Sequence, residues 1–199
     1  MNMEKNRLFG LILAGGHSKR MGQDKTLLSY HGKPQVEHVR GLLKGVCAEV
    51  FISAKDKKGD TLGCPLLIDH QQFADAGPLT GILSAMSAYP DESWLVMACD
   101  LPFVTKKTLQ YLIENRDPAK PATAFISTSD GLPEPLCAIW EAHGFKDFLE
   151  FFRKGLHCSR KMLIKSSAHL ITQPDPRWLD NVNTPQEYQQ ALAVLRDLR

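Results

Sequence analysis

Short apolar runs alternate with stretches of helical periodicity over residues 7–115. Apolar runs of this length, bounded by polar or glycine-rich segments, predict buried strands at Leu8–Leu13, Val50–Ile52, Leu66–Ile68 and Trp94–Ala98. The i, i+3, i+4 spacing of apolar residues predicts helices between and after them, at Val36, Val39 and Leu43, at Leu79, Ile82, Leu83 and Met86, and at Leu109, Leu112 and Ile113. Strands that alternate with helices predict βαβ units and a mostly parallel sheet.

The second half of the chain has a weaker pattern. Strands are predicted at Ala122–Ile126 and Leu136–Trp140. Phe145, Phe148, Leu149 and Phe152 predict an amphipathic helix, and Pro185 begins a last helix with Tyr188, Ala191, Leu192 and Leu195 on its buried face. Because no repeat or long linker interrupts the pattern, we expect one domain over residues 1–199, with a three-layer, Rossmann-like α/β fold.

Composition narrows the class of protein. The 199 residues are 43% apolar and 23% charged, with a formal net charge of +2, which is ordinary for a globular protein and lacks the basic bias of a general nucleic-acid binder. Five cysteines, with no Cys-x-x-Cys pair, argue against a disulfide framework or a zinc site. The first apolar run is short and ends in glycines, so we expect no signal peptide, no membrane span and a cytoplasmic location.

Ligands of such sheets bind at the carboxyl ends of the strands, and the loop after the first strand has unusual chemistry. Gly15 and Gly16 allow backbone N–H groups to approach phosphate oxygens, and Arg20 and Lys25 add two positive charges. No glycine directly precedes Lys25, so the loop is not a P-loop, and it is not a Gly-x-Gly-x-x-Gly loop either. The pattern predicts a different kind of phosphate-binding loop.

The loops after two further strands each carry an aspartate. Asp69 follows Ile68, ahead of a string in which Gly77 and Gly81 flank the start of a helix. Asp69 could accept the two adjacent N–H groups of guanine, although the same string is also typical of a turn and a helix start. Asp100 ends the fourth strand, where it could bind Mg²⁺ through hard carboxylate oxygens or cap the next helix.

The first loop resembles the signature of the molybdenum cofactor guanylyltransferases, a family of α/β nucleotidyltransferases. Their pattern is Leu-Ala-Gly-Gly-x-Ser-x-Arg-Met-Gly-x-Asp-Lys, and residues 13–25 fill every fixed position. The resemblance implies that the backbone of Leu13, Ala14, Gly15 and Gly16 holds the nucleotide, while Arg20 and Lys25 hold the triphosphate. It likewise implies that Asp69, Gly77 and Gly81 contact GTP and that Asp100 is the metal ligand.

The resemblance extends to the second half of the chain. Asn181-Val182-Asn183-Thr184-Pro185 is similar to the family's Asn-x-Asn-Thr-Pro string, which implies that Asn181 and Asn183 bind the pterin-bearing acceptor. The string also fits a helix start in which Thr184 is the cap, and both interpretations can hold together. Arg160 and Lys161 could face the acceptor phosphate or simply be solvated. Ser53 stands where some members of the family have an asparagine that touches the nucleotide.

The implied activity is transfer of GMP from GTP to the terminal phosphate of molybdopterin, with Mg²⁺ and with release of pyrophosphate. Residues 7–115 would bind the nucleotide and residues 116–199 the acceptor. Other expected partners are proteins that deliver the cofactor or receive it, with no nucleic acid and no membrane. The alternatives are a cytidylyl or sugar-phosphate nucleotidyltransferase and a non-catalytic nucleotide sensor, although a sensor would not need Arg20, Lys25 and Asp100 together.

Overall fold

The computed structural model describes residues 7–14, 27–56 and 63–197. Its strands are β1 (Leu8–Leu13), β2 (Glu49–Ala54), β3 (Leu66–Ile68), β4 (Ser93–Ala98), β5 (Ala122–Ile126), β6 (Pro133–Trp140) and β7 (His169–Thr172). Its helices are α1 (Gln35–Lys44), α2 (Pro78–Ala88), α3 (Lys106–Glu114), α4 (Phe145–Arg153), α5 (Ser159–Lys165) and α6 (Pro185–Asp197).

The described strands form one sheet in the order β3-β2-β1-β4-β6-β5-β7. Within it, β6 runs antiparallel to both of its neighbours, and the other pairs are parallel. The prediction of a mostly parallel sheet is therefore confirmed. Because β6 is reversed, its first residues lie at the same edge as the last residues of β4 and β5.

Helices cover both faces of the sheet. One apolar cluster joins the sheet to α2, α4 and α5 through residues such as Leu79, Phe148 and Met162. A second cluster joins the opposite face to α1 and α3 through residues such as Val39 and Leu109. These three layers confirm the predicted fold class. They leave the edge formed by the carboxyl ends of the parallel strands for the loops that carry the candidate site.

Most predicted elements are present, and some of them have different ends. The strands β2 and β6 are longer than the apolar runs that predicted them, and β7 was not predicted at all. Strand β7 has four residues and lies at the edge of the sheet, and Ile171 is its one buried residue, so its sequence has no clear period of two. Among the described helices, none is both long enough and apolar enough to cross a membrane.

Candidate nucleotide-binding site

The loop with the glycines and cations begins between two other strand ends. Leu13, the last residue of β1, pairs with Ser53 of β2 on one side and with Ala98 of β4 on the other. Leu13 is buried and Ala14 is half-buried. The remaining predicted members of this loop, namely Gly15, Gly16, Arg20 and Lys25, lie outside the described residues, so their roles stay predictions.

Asp69 is held in place by a neighbouring strand. The Ser53 hydroxyl donates a hydrogen bond to Asp69 Oδ1 over 2.7 Å, and the Asp69 N–H donates to the Ala54 carbonyl over 2.8 Å. Sequence reasoning left Ser53 without a role because it replaces an asparagine of the family pattern. Its role emerges only from the register of β2 and β3, which pairs Ser53 with Leu67 and so brings it beside the end of β3.

Gly77 and Gly81 are each favoured at their positions for a different structural reason. Gly77 precedes α2 with φ 58° and ψ −133°, a conformation that favours glycine. A Cβ atom at Gly81 would lie 2.9 Å from Leu13 Cδ2 and would collide with the Ser53 side chain. Glycine at position 81 therefore lets the first turn of α2 pack directly against the ends of β1 and β2. Contact of either glycine with a nucleotide stays a prediction.

The segment between Asp69 and α2 is tied to that helix by side chains. The Thr80 hydroxyl donates to the Phe73 carbonyl over 2.6 Å and accepts from the Ala76 N–H over 3.2 Å. The N–H of His70 donates to the Ser84 hydroxyl over 2.7 Å. These bonds fix the residues that follow Asp69, so its carboxylate is presented on a rigid support.

Asp100 and the asparagine string meet in one cavity. Asp100 is half-buried two residues after β4, and both Asp100 and Asn181 line a cavity of about 540 Å³. The Val182 N–H donates to the backbone carbonyl of Asp100 over 3.0 Å. The fold thus joins the predicted metal ligand to part of the predicted acceptor string, although the two segments are far apart in the sequence.

The string itself forms the start of α6. Glu187 Oε2 accepts from the N–H groups of Asn183, over 2.6 Å, and of Thr184, over 3.1 Å. The Thr184 hydroxyl accepts in return from the Glu187 N–H over 3.2 Å, which completes a capping box and confirms the predicted cap. Val182 is buried between an exposed Asn181 and a half-buried Asn183, as alternation predicted.

Side chains at the start of α1 and just before it contact the backbone that follows Asp100. His31 Nε2 lies 3.0 Å from the Pro102 carbonyl, and Gln35 Nε2 donates to the Leu101 carbonyl over 3.5 Å. The rings of His31 and His38 stack with centroids 3.7 Å apart. Burial lowers the pKa of His38 to about 4, and the neighbouring His31 adds to the shift. This contact region was not predicted from the sequence.

The cavity wall has mixed charge. Arg160 lines it and forms ion pairs with Asp130 over 2.7 Å and with Glu134 over 3.1 Å. Of the two cations predicted near the acceptor, Arg160 is therefore at the cavity, whereas Lys161 is exposed. Burial raises the pKa of Asp180, a further carboxyl group of the wall.

The donor groups fit a magnesium ion shared with a substrate. Strands β3 and β4 are separated by β2 and β1, and three strand spacings amount to about 14 Å, so Asp69 and Asp100 cannot bind one ion together. Among residues 7–14, 27–56 and 63–197, no group of three or more His, Cys, Asp or Glu side chains is placed to hold a metal. A single carboxylate suits Mg²⁺, which usually takes one or two carboxylates together with phosphates and water.

The mostly parallel sheet with helices on both faces defines an α/β protein of the Rossmann-like class, a class in which ligands bind at the carboxyl ends of the strands. Residues 10–170 match the family of the MobA-like NTP transferase domain, and the chain belongs to that family. It is therefore a nucleotidyltransferase.

Individual relatives agree with the family. The chain is 32% identical over 197 residues to a "Probable molybdenum cofactor guanylyltransferase" of Nostoc sp., covering 96% of this chain and 91% of that protein. It is 34% identical over 192 residues to a "Molybdenum cofactor biosynthesis bifunctional protein" of Synechocystis sp.. That match covers 95% of this chain but only 55% of the Synechocystis protein's length.

A solved structure shares the fold. The molybdopterin-guanine dinucleotide biosynthesis protein A of Archaeoglobus fulgidus superposes with a TM-score of 0.76 at 20% identity. The superposition covers 96% of this chain and 100% of the other. At this identity the likeness supports the three-layer architecture and its strand connections.

Proposed function

We propose that this chain transfers GMP from GTP to the terminal phosphate of molybdopterin and releases pyrophosphate. The Nostoc relative named above as a probable molybdenum cofactor guanylyltransferase supports this substrate pair. The observation that carries the proposal is the hydrogen bond from Val182 to Asp100, because it joins the candidate metal ligand and the candidate acceptor string in one cavity. Donor and acceptor phosphates could meet there.

The reaction needs positioning more than proton transfer. A terminal phosphate oxygen of molybdopterin attacks the α-phosphorus of GTP, and the bond from that phosphorus to the bridging oxygen of the β-phosphate breaks. The nucleophile is already anionic, so it needs no serine–histidine or cysteine–histidine pair to activate it. Catalysis then comes from holding the two phosphates together and neutralising charge.

Asp100 would hold the Mg²⁺ ion, which when bound neutralises charge on the phosphate oxygens of GTP. Arg20 and Lys25 would stabilise the negative charge that develops on pyrophosphate. Asp69 would bind the guanine edge, and Asn181 and Asn183 would bind the acceptor. The capping box at Thr184 would orient the two asparagines through the backbone.

The proposal is tested with Asp100→Asn, which keeps the shape of the side chain and removes its charge. We expect most of the turnover to be lost, measured as pyrophosphate released with GTP and molybdopterin present, while the melting temperature stays close to that of the wild type. A binding assay with Mn²⁺ should show weaker metal binding in the presence of GTP. A correctly folded variant with normal turnover would show that Asp100 is not the metal ligand.

The wild type also tests the substrate pair. Pyrophosphate release should require both GTP and molybdopterin, and CTP or ATP should not replace GTP. Release that proceeds equally well with CTP, or with a sugar phosphate as acceptor, would assign the chain to another nucleotidyltransferase activity.

A further inference from the structure

The cavity that holds Asp100 has an aromatic ring in its wall. Among the described residues that line the cavity, Phe103 is the only one with an aromatic side chain. Phe103 lies three residues after Asp100, and it is only half-buried, so part of it is accessible from the cavity. Aromatic side chains that line a cavity beside a few polar groups are typical of ligand-binding sites.

Phe103 is part of a larger apolar wall. It packs against a cluster of buried side chains, namely Leu28, Tyr30, Val182 and Ala191. Val182 and Ala191 also line the cavity, so the cluster continues into the cavity wall, and Val194 of α6 extends it. A phosphate group gains nothing from such a wall, whereas the flat face of an aromatic ring buries apolar surface on it.

The backbone on both sides of Phe103 is fixed. Leu101 and Val104 are buried, and the Val104 N–H donates to the Leu101 carbonyl over 3.4 Å, which closes a turn around Phe103. His31 contacts the carbonyl of Pro102 in the same turn. A side chain on a fixed turn loses little conformational freedom when a ligand binds, so more of its contact energy appears as affinity.

A polar group lies next to the apolar wall. Asn181 is exposed, lines the cavity and directly precedes Val182, whose side chain belongs to the same cluster as Phe103. A planar heteroaromatic ring has two apolar faces and an edge that carries hydrogen-bond donors and acceptors. Such a ring can place a face on Phe103 and present its edge to the amide of Asn181.

Two ring systems take part in the proposed reaction, the guanine of GTP and the pterin of the acceptor. Guanine is assigned above to Asp69 at the end of β3, which lies about 14 Å from the end of β4 across three strand spacings. Phe103 follows β4. A guanine held by Asp69 therefore leaves the ring of Phe103 to the acceptor.

We propose that Phe103 stacks on the pterin ring of the acceptor and so selects a flat, aromatic acceptor. This inference rests on the function proposed above. The acceptor's phosphate then points along the cavity towards Asp100, and Asn181 binds the edge of the ring. Phe103 contacts a part of the acceptor that does not react, so it sets the affinity for the acceptor rather than the rate of transfer.

The test compares Phe103→Leu, which removes the ring, with Phe103→Tyr, which keeps it. Phe103→Met also lacks a ring but adapts to irregular packing, so it replaces the leucine variant if that variant does not fold. Tyr89→Leu is the matched control, because Tyr89 is exposed and packs on Phe9 and Trp94 near the amino ends of β1 and β4. Free pterin is the probe, and its binding is followed by its fluorescence. GTP affinity and the melting temperature are measured on the same preparations.

We expect Phe103→Leu and Phe103→Met to weaken pterin binding by roughly five- to a hundredfold, the range for one lost stacking contact. Phe103→Tyr should bind pterin within about threefold of the wild type, because it keeps the stacking face. All three variants should bind GTP within about twofold of the wild type, and Tyr89→Leu should match the wild type for both ligands. In turnover, Phe103→Leu should raise the KM for molybdopterin and leave kcat and the KM for GTP unchanged.

The inference is wrong if the wild type binds no pterin, or if pterin binding and the KM for molybdopterin stay unchanged in a folded Phe103→Leu or Phe103→Met variant. A loss of GTP binding without a loss of pterin binding would place guanine on Phe103 and would overturn it too. Equal losses of both ligands with early melting in every variant, Phe103→Tyr included, would make Phe103 a structural residue. The proposed function has its own test, because a wild type that binds pterin through Phe103 but releases no pyrophosphate from GTP and molybdopterin would contradict that function alone.

Discussion

Single hydrogen bonds fix the side chains at the ends of the strands. The carboxylate of Asp69 is anchored by the Ser53 hydroxyl, which donates a hydrogen bond to Oδ1. The same serine packs against Gly81, so one small side chain both supports Asp69 and allows α2 to approach. Residue identity matters here at the level of single atoms.

Replacing Asp69 with asparagine should therefore change recognition of the base. The amide keeps one acceptor oxygen and adds an NH₂ group that opposes the N–H groups of guanine. We expect GTP affinity to fall by about 1–3 kcal/mol in equilibrium binding, with little change for CTP. Ser53→Ala is the matched variant, because it keeps the carboxylate but removes its anchor, and its loss should be smaller. If GTP affinity and preference stay the same in Asp69→Asn, the base is recognised elsewhere, such as by the backbone at Leu13.

At the scale of elements, the start of α6 connects the two halves of the site. Its capping box reaches back to Asn183, and the adjacent Val182 bonds to the Asp100 carbonyl. The helix also packs on the segment that follows the phosphate loop, since the Tyr188 hydroxyl donates to the Ser29 carbonyl over 3.1 Å. One helix start, in the second half of the chain, thus contacts two segments of the first half, at Ser29 and at Asp100.

Thr184→Ala tests this cap. Loss of a threonine cap costs about 1 kcal/mol, which lowers the melting temperature of a domain of this size by about 2–4 °C. GTP affinity should stay within about twofold, because the described hydrogen bonds of the Thr184 cap go to Glu187 and not to Asp69 or Asp100. Thr184→Ser keeps the hydroxyl and should melt like the wild type. An alanine variant with an unchanged melting temperature would mean that Glu187 alone holds the helix start.

At the scale of the whole molecule, we expect stability to depend on pH through His38 of α1, because burial and the neighbouring His31 lower the pKa of its ring. The folded protein holds the pKa of His38 at about 4, below its ordinary value of 6.5, because the ring is buried beside His31. Between these two values the unfolded chain binds a proton that the folded protein does not. The contribution of neutral His38 is therefore complete above about pH 6.5 and is lost as the pH falls towards 4.

We expect the free energy of unfolding to fall by about 1–3 kcal/mol between pH 7 and pH 4 on account of this residue, allowing for its partial exposure. Urea unfolding at several pH values measures the loss. His38→Gln has no titrating ring, so its stability should depend less steeply on pH across this window. If the wild type and the variant lose stability in parallel, other groups cause the dependence.

Local sequence patterns were enough to predict the order of most elements and the polar residues at the ends of the strands. Buried strands and amphipathic helices have local periods, so β1, β3 and β5 were predicted with their observed bounds. Asp69 and Asp100 were found because each follows a recognisable strand. The sequence also predicted Thr184 as the cap of α6, although not the return bond to Glu187, because a cap depends on residues within one helical turn.

Which distant residues meet could be seen only in the folded protein. The reversal of β6, the edge position of β7 and the bond from Ser53 to Asp69 all depend on strand pairing and register, which no local pattern encodes. Contacts of this kind join residues far apart in the chain, and packing selects them only when the whole sheet has formed.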